Sequence, residues 1–138
     1  MLAENSTGQI GTMWECPDFF ELDGTHFLIC SPQNMKAQKY EFHNGNNSVY
    51  FSGKYNETEH TFQKEAPKSL DYGLDFYAPQ TTKLPDGRRI LIAWMKSWDA
   101  CVIPDGQKWQ GMMTLPRELR YMNGRLYQKS GGRTEAVS

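Results

Sequence analysis

Short runs of alternating apolar and polar residues, separated by Gly, Asn, Asp and Pro, predict strands joined by tight turns. Phe19 to Leu22 and His26 to Cys30 flank Asp23-Gly24, a dipeptide suited to the two left-handed positions of a hairpin turn. Ala78 to Leu84 and Arg88 to Met95 flank Asp86-Gly87 in the same manner, and Glu118 to Met122 and Arg125 to Gln128 flank Asn123-Gly124. Ser48 to Tyr55 and Thr58 to Gln63 make a further pair around Asn56-Glu57. No segment keeps a 3.6-residue apolar period over two or more turns, so helix is expected to be minor. The pattern predicts an all-β chain. A faint repeat adds to it. Cys16-Pro17-Asp18 leads to Asp23-Gly24 and Phe27-Leu28-Ile29, as Ala78-Pro79-Gln80 leads to Asp86-Gly87 and Ile90-Leu91-Ile92. The offset of roughly 60 residues is compatible with four-stranded propeller blades and long loops.

Charge narrows the partners. Fifteen basic and sixteen acidic side chains nearly cancel, so neither nucleic acid nor an anionic membrane is implied. No run of about eighteen apolar residues exists to span a bilayer. Met1 to Asn5 has neither the basic start nor the apolar centre of a signal peptide. Cys16, Cys30 and Cys101 are odd in number and lack Cys-x-x-Cys spacing, which argues against a disulfide framework and for a reducing cytoplasm. Secretion would need a signal upstream of Met1. His26, His43 and His60 are scattered without ligand spacing, so no metal site is expected. The formal glycosylation triplets at Asn5, Asn46 and Asn56 are of a kind that arises by chance in polar, turn-rich sequence.

One stretch carries chemistry. Trp14-Glu15-Cys16-Pro17-Asp18-Phe19-Phe20 sets a carboxylic acid between an indole and a thiol, just before a proline. Apolar neighbours disfavour the charged form of a carboxyl group, and a Glu kept protonated can donate to a leaving group. The residues alone leave this open against an ordinary Glu at the mouth of a strand, because one carboxylate does not make a site.

Three segments, in order, bear a family resemblance. They are Met13 to Phe20; Asp71-Tyr72-Gly73-Leu74-Asp75-Phe76-Tyr77-Ala78-Pro79-Gln80 followed by Arg89 to Met95; and Met113-Thr114-Leu115-Pro116-Arg117-Glu118-Leu119. Together they resemble glycoside hydrolase family 32, the invertases, sucrose-6-phosphate hydrolases, levanases and inulinases. The resemblance implies part of a five-bladed β-propeller over residues 1–128, about two to three blades in an open fragment. Residues 129–138 depart from the family and are expected to form a disordered tail. It also implies a retaining β-fructofuranosidase chemistry on sucrose, sucrose 6-phosphate or fructans, with no cofactor and no metal. Glu15 matches the family's acid/base. Asp71, Tyr72 and Asp75 match a region that bonds sugar hydroxyls or holds the acid in place. Trp94 ends an apolar strand and is open between bordering a sugar ring and packing in the core, and Trp98 and Trp109 are further aromatic candidates. Cys16 is open between steadying the protonated carboxyl and serving as a small buried hydrophobe. Tyr77 and Phe76 are expected to pack, and Arg117 to pair with a structural carboxylate.

The family's Trp-Met-Asn-Asp-Pro-Asn-Gly-like segment, which holds the nucleophile Asp, is not in this sequence, nor is its Arg-Asp-Pro segment. The sequence therefore reads as an internal part of a longer enzyme, whose partner would be the rest of the propeller or a second chain. The alternative is a non-catalytic fragment that at most binds sugar weakly or pairs with another chain.

Overall fold

The computed structural model describes residue 3 and residues 8–99 and 105–130. Cys101 and residues 131–138 of the expected tail lie outside the described residues. The described residues form nine strands and no helix. Strands β1 (Met13–Leu22), β2 (Thr25–Gln33), β3 (Val49–Asn56) and β4 (Thr61–Lys64) build one antiparallel sheet in chain order, and the two-residue β5 (Lys68–Ser69) pairs with β3. Strands β6 (Phe76–Lys83), β7 (Arg89–Met95), β8 (Arg117–Met122) and β9 (Arg125–Ser130) build the second, again in chain order. Strand β9 thus includes Lys129 and Ser130, two residues past the boundary expected at Gln128.

Turn chemistry explains the agreements and the corrections. Asp23-Gly24 and Asn123-Gly124 have positive φ at both residues, at 51° and 78° and at 51° and 73°, as a two-residue hairpin of the right twist requires. Asp86-Gly87 differs. Pro85 holds φ near −65°, so the turn Leu84-Pro85-Asp86-Gly87 closes with the Gly87 N–H on the Leu84 carbonyl at 3.0 Å, and only Gly87 is left-handed. The second strand around Asn56 starts at Thr61 rather than Thr58. The Asn56 Oδ1 accepts the backbone N–H of Thr58 at 3.0 Å and of Glu59 at 3.1 Å, which holds those residues in the turn.

The faint repeat is a repeated irregularity. In β1 the register slips by one residue between Glu15 and Asp18, and in β6 between Tyr77 and Gln80. Each slip is a β-bulge in which a non-glycine residue before proline is left-handed, Cys16 at φ 48° and Ala78 at φ 51°. That conformation costs an L-residue about 1–2 kcal/mol, so surrounding contacts must hold it. A bulge re-aims the side chains beside it, and these two re-aim Glu15 and Tyr77.

The two sheets stack through an apolar seam. Phe20, Leu22, Phe27, Ile29 and Tyr50 from the first meet Phe76, Leu91, Ala93 and Leu119 from the second, with Leu70 between. Phe27 and Tyr121 meet edge to face across it at 5.0 Å between ring centres, a geometry worth about 0.5–1.5 kcal/mol beyond burial. The polar flank is also closed. Asp18 Oδ2 accepts the Thr81 N–H at 2.8 Å and the Thr81 hydroxyl at 2.7 Å, while the Arg89 guanidinium lies 4.2 Å over the Phe20 ring. The far face of the first sheet carries a second cluster of Leu28, Cys30, Met35, Phe42, Val49, Phe51 and Phe62. The far face of the second sheet leaves Ile92, Trp94 and Tyr127 partly in solvent.

Alternation along β7 makes a paired test. Leu91 is fully buried in the seam, whereas its neighbour Ile92 points away and is 37% exposed. Leu91→Ala should cost about 2–5 kcal/mol in urea unfolding, and Ile92→Ala far less. Equal losses would contradict this assignment of faces.

Candidate active site

Glu15 stands on the bulge of β1, half-buried, with Ser31 of β2 as its register partner. Tyr77 stands on the matching bulge of β6, 1% exposed, with Trp94 of β7 opposite. Sheet stacking brings the two together. The Tyr77 hydroxyl donates to Glu15 Oε2 at 2.7 Å, and it lies 3.4 Å from the Ser31 carbonyl. A phenol has one proton to give, and the shorter contact takes it. Gln33 and Trp98 also hydrogen-bond the Glu15 carboxylate.

These bonds decide the charge of Glu15. Its pKa lies below the ordinary carboxylate value, first because of the Tyr77 bond, then Gln33; partial burial opposes them, and Trp98 adds to the lowering. The sequence expectation ran the other way, with apolar neighbours keeping the acid protonated. Donors outweigh desolvation because the bulge turns the carboxyl group toward polar side chains instead of into the apolar seam. Tyr77 is pushed up by burial and by its bond to Glu15, so it remains a donor throughout the neutral range. The Cys16 thiol is raised, by burial first and the Glu15 charge second, which leaves it neutral and unreactive. Its carbonyl accepts Gln80 Nε2 at 3.0 Å, a further tie between the two bulges.

The remaining sequence candidates divide. Trp94 is 38% exposed and meets Trp98 edge to face at 6.2 Å, so the two indoles form an aromatic wall that reaches Glu15 through Trp98. Asp71 and Asp75 are not on a strand, where their spacing would set them on one side, but in the loop from β5 to β6. Asp71 Oδ2 pairs with Arg117 Nη1 at 2.6 Å and its Oδ1 accepts the Gly73 N–H at 2.7 Å. Asp75 accepts the Ser97 N–H at 3.3 Å, and the Tyr72 hydroxyl donates to Glu41 at 3.4 Å. Their bonds shape loops. Asp71, Tyr72 and Arg117 line an open groove of about 1110 Å³ between the sheets, and Glu15 is not part of that lining. Trp109 is 58% exposed.

Tyr77 and Gln33 are the contacts that sequence reasoning missed. The repeat offered a signal for Tyr77, because it places that residue at the position equivalent to Glu15. Among the described residues no three His, Cys, Asp or Glu side chains gather as metal ligands.

The chain matches the Glycosyl hydrolases family 32 N-terminal domain over residues 1–130. It belongs to glycosyl hydrolase family 32. It is 41% identical over 137 residues to a raffinose invertase of Escherichia coli, covering 99% of this chain and 29% of that protein. A sucrose-6-phosphate hydrolase of the same organism is 40% identical, with 28% of its length covered. Among solved structures, a GH32 β-fructofuranosidase of Bombyx mori superposes with a TM-score of 0.85 at 34% identity, over 92% of this chain and 27% of that one. A variant of the Bombyx mori protein was solved in complex with sucrose. This family 32 chain thus spans less than a third of the relatives it matches, and its two sheets are two blades of the family's β-propeller.

The lowered Glu15 pKa fixes the sign of a prediction. A carboxylate depressed in the folded state adds stability above its unfolded pKa, and this is lost as pH falls through the folded value. Tyr77→Phe removes the largest cause of that depression. The Glu15 midpoint, followed by carbon-detected NMR of the labelled carboxyl, should rise toward the ordinary range. An unchanged midpoint would contradict the Tyr77 bond.

Proposed function

We propose that this chain supplies the acid/base half of a retaining β-fructofuranosidase site. The observation that carries the reading is the Tyr77–Glu15 bond at 2.7 Å, at the mouth of a bulge, beside the Trp94–Trp98 wall. Glu15 protonates the glycosidic oxygen while a second carboxylate attacks the anomeric carbon; Glu15 then takes the proton of the incoming water. That second carboxylate comes from residues other than the 138 here, since this sequence lacks the family's nucleophile segment. Retaining geometry sets the pair about 5 Å apart. A like charge at that range lifts the pKa of the acid, which offsets the lowering by Tyr77, Gln33 and Trp98.

The named relatives support a substrate of the sucrose or sucrose 6-phosphate kind. Trp94 and Trp98 border one face of the sugar ring. Cys16 holds its neighbour by backbone geometry, not by thiol chemistry. Asp71, Tyr72 and Asp75 act at one remove, through the loops that carry β6 and the segment after β7.

One observation favours a second reading for the chain by itself. With its pKa lowered, Glu15 is ionised at neutral pH and has no proton to donate. Alone, the chain would then be a non-catalytic element that binds sugar weakly or pairs with another chain.

A graft separates the two. Residues 9–128 replace the matching stretch of the Escherichia coli raffinose invertase, and release of reducing sugar from sucrose is measured. The graft should turn over, and its Glu15→Gln version should lose about 10²–10⁴-fold, the usual weight of a positioned acid/base. Full activity in the Glu15→Gln graft would overturn the role of Glu15. Turnover by the 138-residue chain alone would overturn the claim that the nucleophile lies elsewhere.

A further inference from the structure

Behind Glu15 lies a pair of buried hydroxyl groups that the chemistry above does not use. Ser31 on β2 is fully buried and Ser48, just before β3, is 3% exposed. Their hydroxyls lie 3.4 Å apart. Both bond the backbone of β6 across the seam, on either side of Tyr77. The Ala78 N–H donates to Ser31 Oγ at 3.1 Å, and the Ser48 hydroxyl donates to the Phe76 carbonyl at 3.2 Å. The Ala78 N–H lies within the β6 bulge, where the register with β7 is broken between Tyr77 and Gln80, while Phe76 is still paired with Met95. Ala78 is also the left-handed residue of that bulge.

The geometry points to Ser31 and Ser48 as positioning residues: they clamp the bulged backbone of β6 to the first sheet and so hold the Tyr77 hydroxyl on Glu15. Three observations converge on this. The bulge leaves the part-buried Ala78 N–H without a ladder partner, and the Ser31 hydroxyl accepts it. The clamp grips residues 76 and 78, which leaves Tyr77 between two fixed points. Ser31 is also the register partner of Glu15, so one residue sets both ends of the Tyr77–Glu15 contact. The two hydroxyls bond β6 and each other, not the carboxylate. Their effect passes through Tyr77.

The consequence for catalysis rests on the acid/base reading of Glu15, but the clamp does not, and its test needs no turnover. The Glu15 carboxyl is titrated by NMR in the 138-residue chain, in Ser31→Ala, in Ser48→Ala, in Tyr77→Phe and in each serine change combined with Tyr77→Phe. The groups facing Glu15 are Tyr77 from β6, Gln33 from β2, Trp98 after β7 and Cys16 beside it. All except Tyr77 are common to the whole series. Each serine change should raise the Glu15 midpoint, as Tyr77→Phe does. Neither should raise it further once Tyr77 is Phe, because the effect has no other route. Ser31→Thr keeps the hydroxyl and should keep the wild-type midpoint. An unchanged midpoint in both single serine variants overturns the clamp, and so does a serine effect that persists in the Tyr77→Phe background. Should Ser31→Ala fail to fold, Ser48→Ala, which loses the bond to Phe76 and the contact with the Ser31 hydroxyl but keeps the Ser31–Ala78 bond, carries the same comparison.

Discussion

The apolar seam between the two sheets is the interaction on which everything else here depends. Phe27, Ile29, Leu91, Ala93 and Leu119 are all completely buried in it. Glu15 belongs to the first sheet and Tyr77 to the second, and no local sequence contact joins them. Only face-to-face stacking brings a residue of β1 within 2.7 Å of one on β6. Burial at roughly 25 cal/mol per Å² is non-directional and sets no such distance. Direction comes from the polar fittings at the seam's rim: Asp18 on Thr81, Gln80 on the Cys16 carbonyl, and the two serines on β6. Apolar area holds the sheets together and hydrogen bonds fix their slide.

The bulges turn that stacking into a site. A regular strand would send alternate side chains to opposite faces, and Glu15 would face either solvent or the apolar seam. One extra residue in β1 and one in β6 re-aim both side chains toward each other. The cost is left-handed backbone at Cys16 and Ala78, two residues with no glycine-like freedom. Strain placed beside a carboxylate, and restrained by buried hydroxyls, is a device for holding an acid in a fixed pose. The donors around Glu15 then favour its charged form, so the acid role proposed for it requires a second carboxylate nearby. On that proposal the two carboxylates would be coupled through charge as well as through geometry.

Much of the fold was legible because turn chemistry is local. Asp23-Gly24 and Asn123-Gly124 announce hairpins since few other dipeptides tolerate two positive φ angles. Pro85 hid the different turn at Asp86-Gly87. Cys16-Pro17 reads as an interruption, which concealed that β1 begins at Met13. The site was less legible for the same reason. A bulge breaks the period-two rule, so the facing of Tyr77 cannot be read from alternation, and it passes for a core aromatic. Asp71 and Asp75 have the opposite fault, since their spacing suggests one strand face and they lie in a loop. The family resemblance singled out Glu15 within three ordered motifs, while the partners of Glu15 are set by long-range packing that no short motif encodes.

The central claim is that the two sheets stack so as to set Glu15 against Tyr77. Through-space NMR contacts in the 138-residue chain test it most directly, at two points on one seam. Proton contacts are expected between the rings of Phe27 and Tyr121 and between the Tyr77 ring and the Glu15 side chain. Finding both would establish the stacking and its slide together. Strands paired within each sheet, but with neither contact between sheets, would contradict the account.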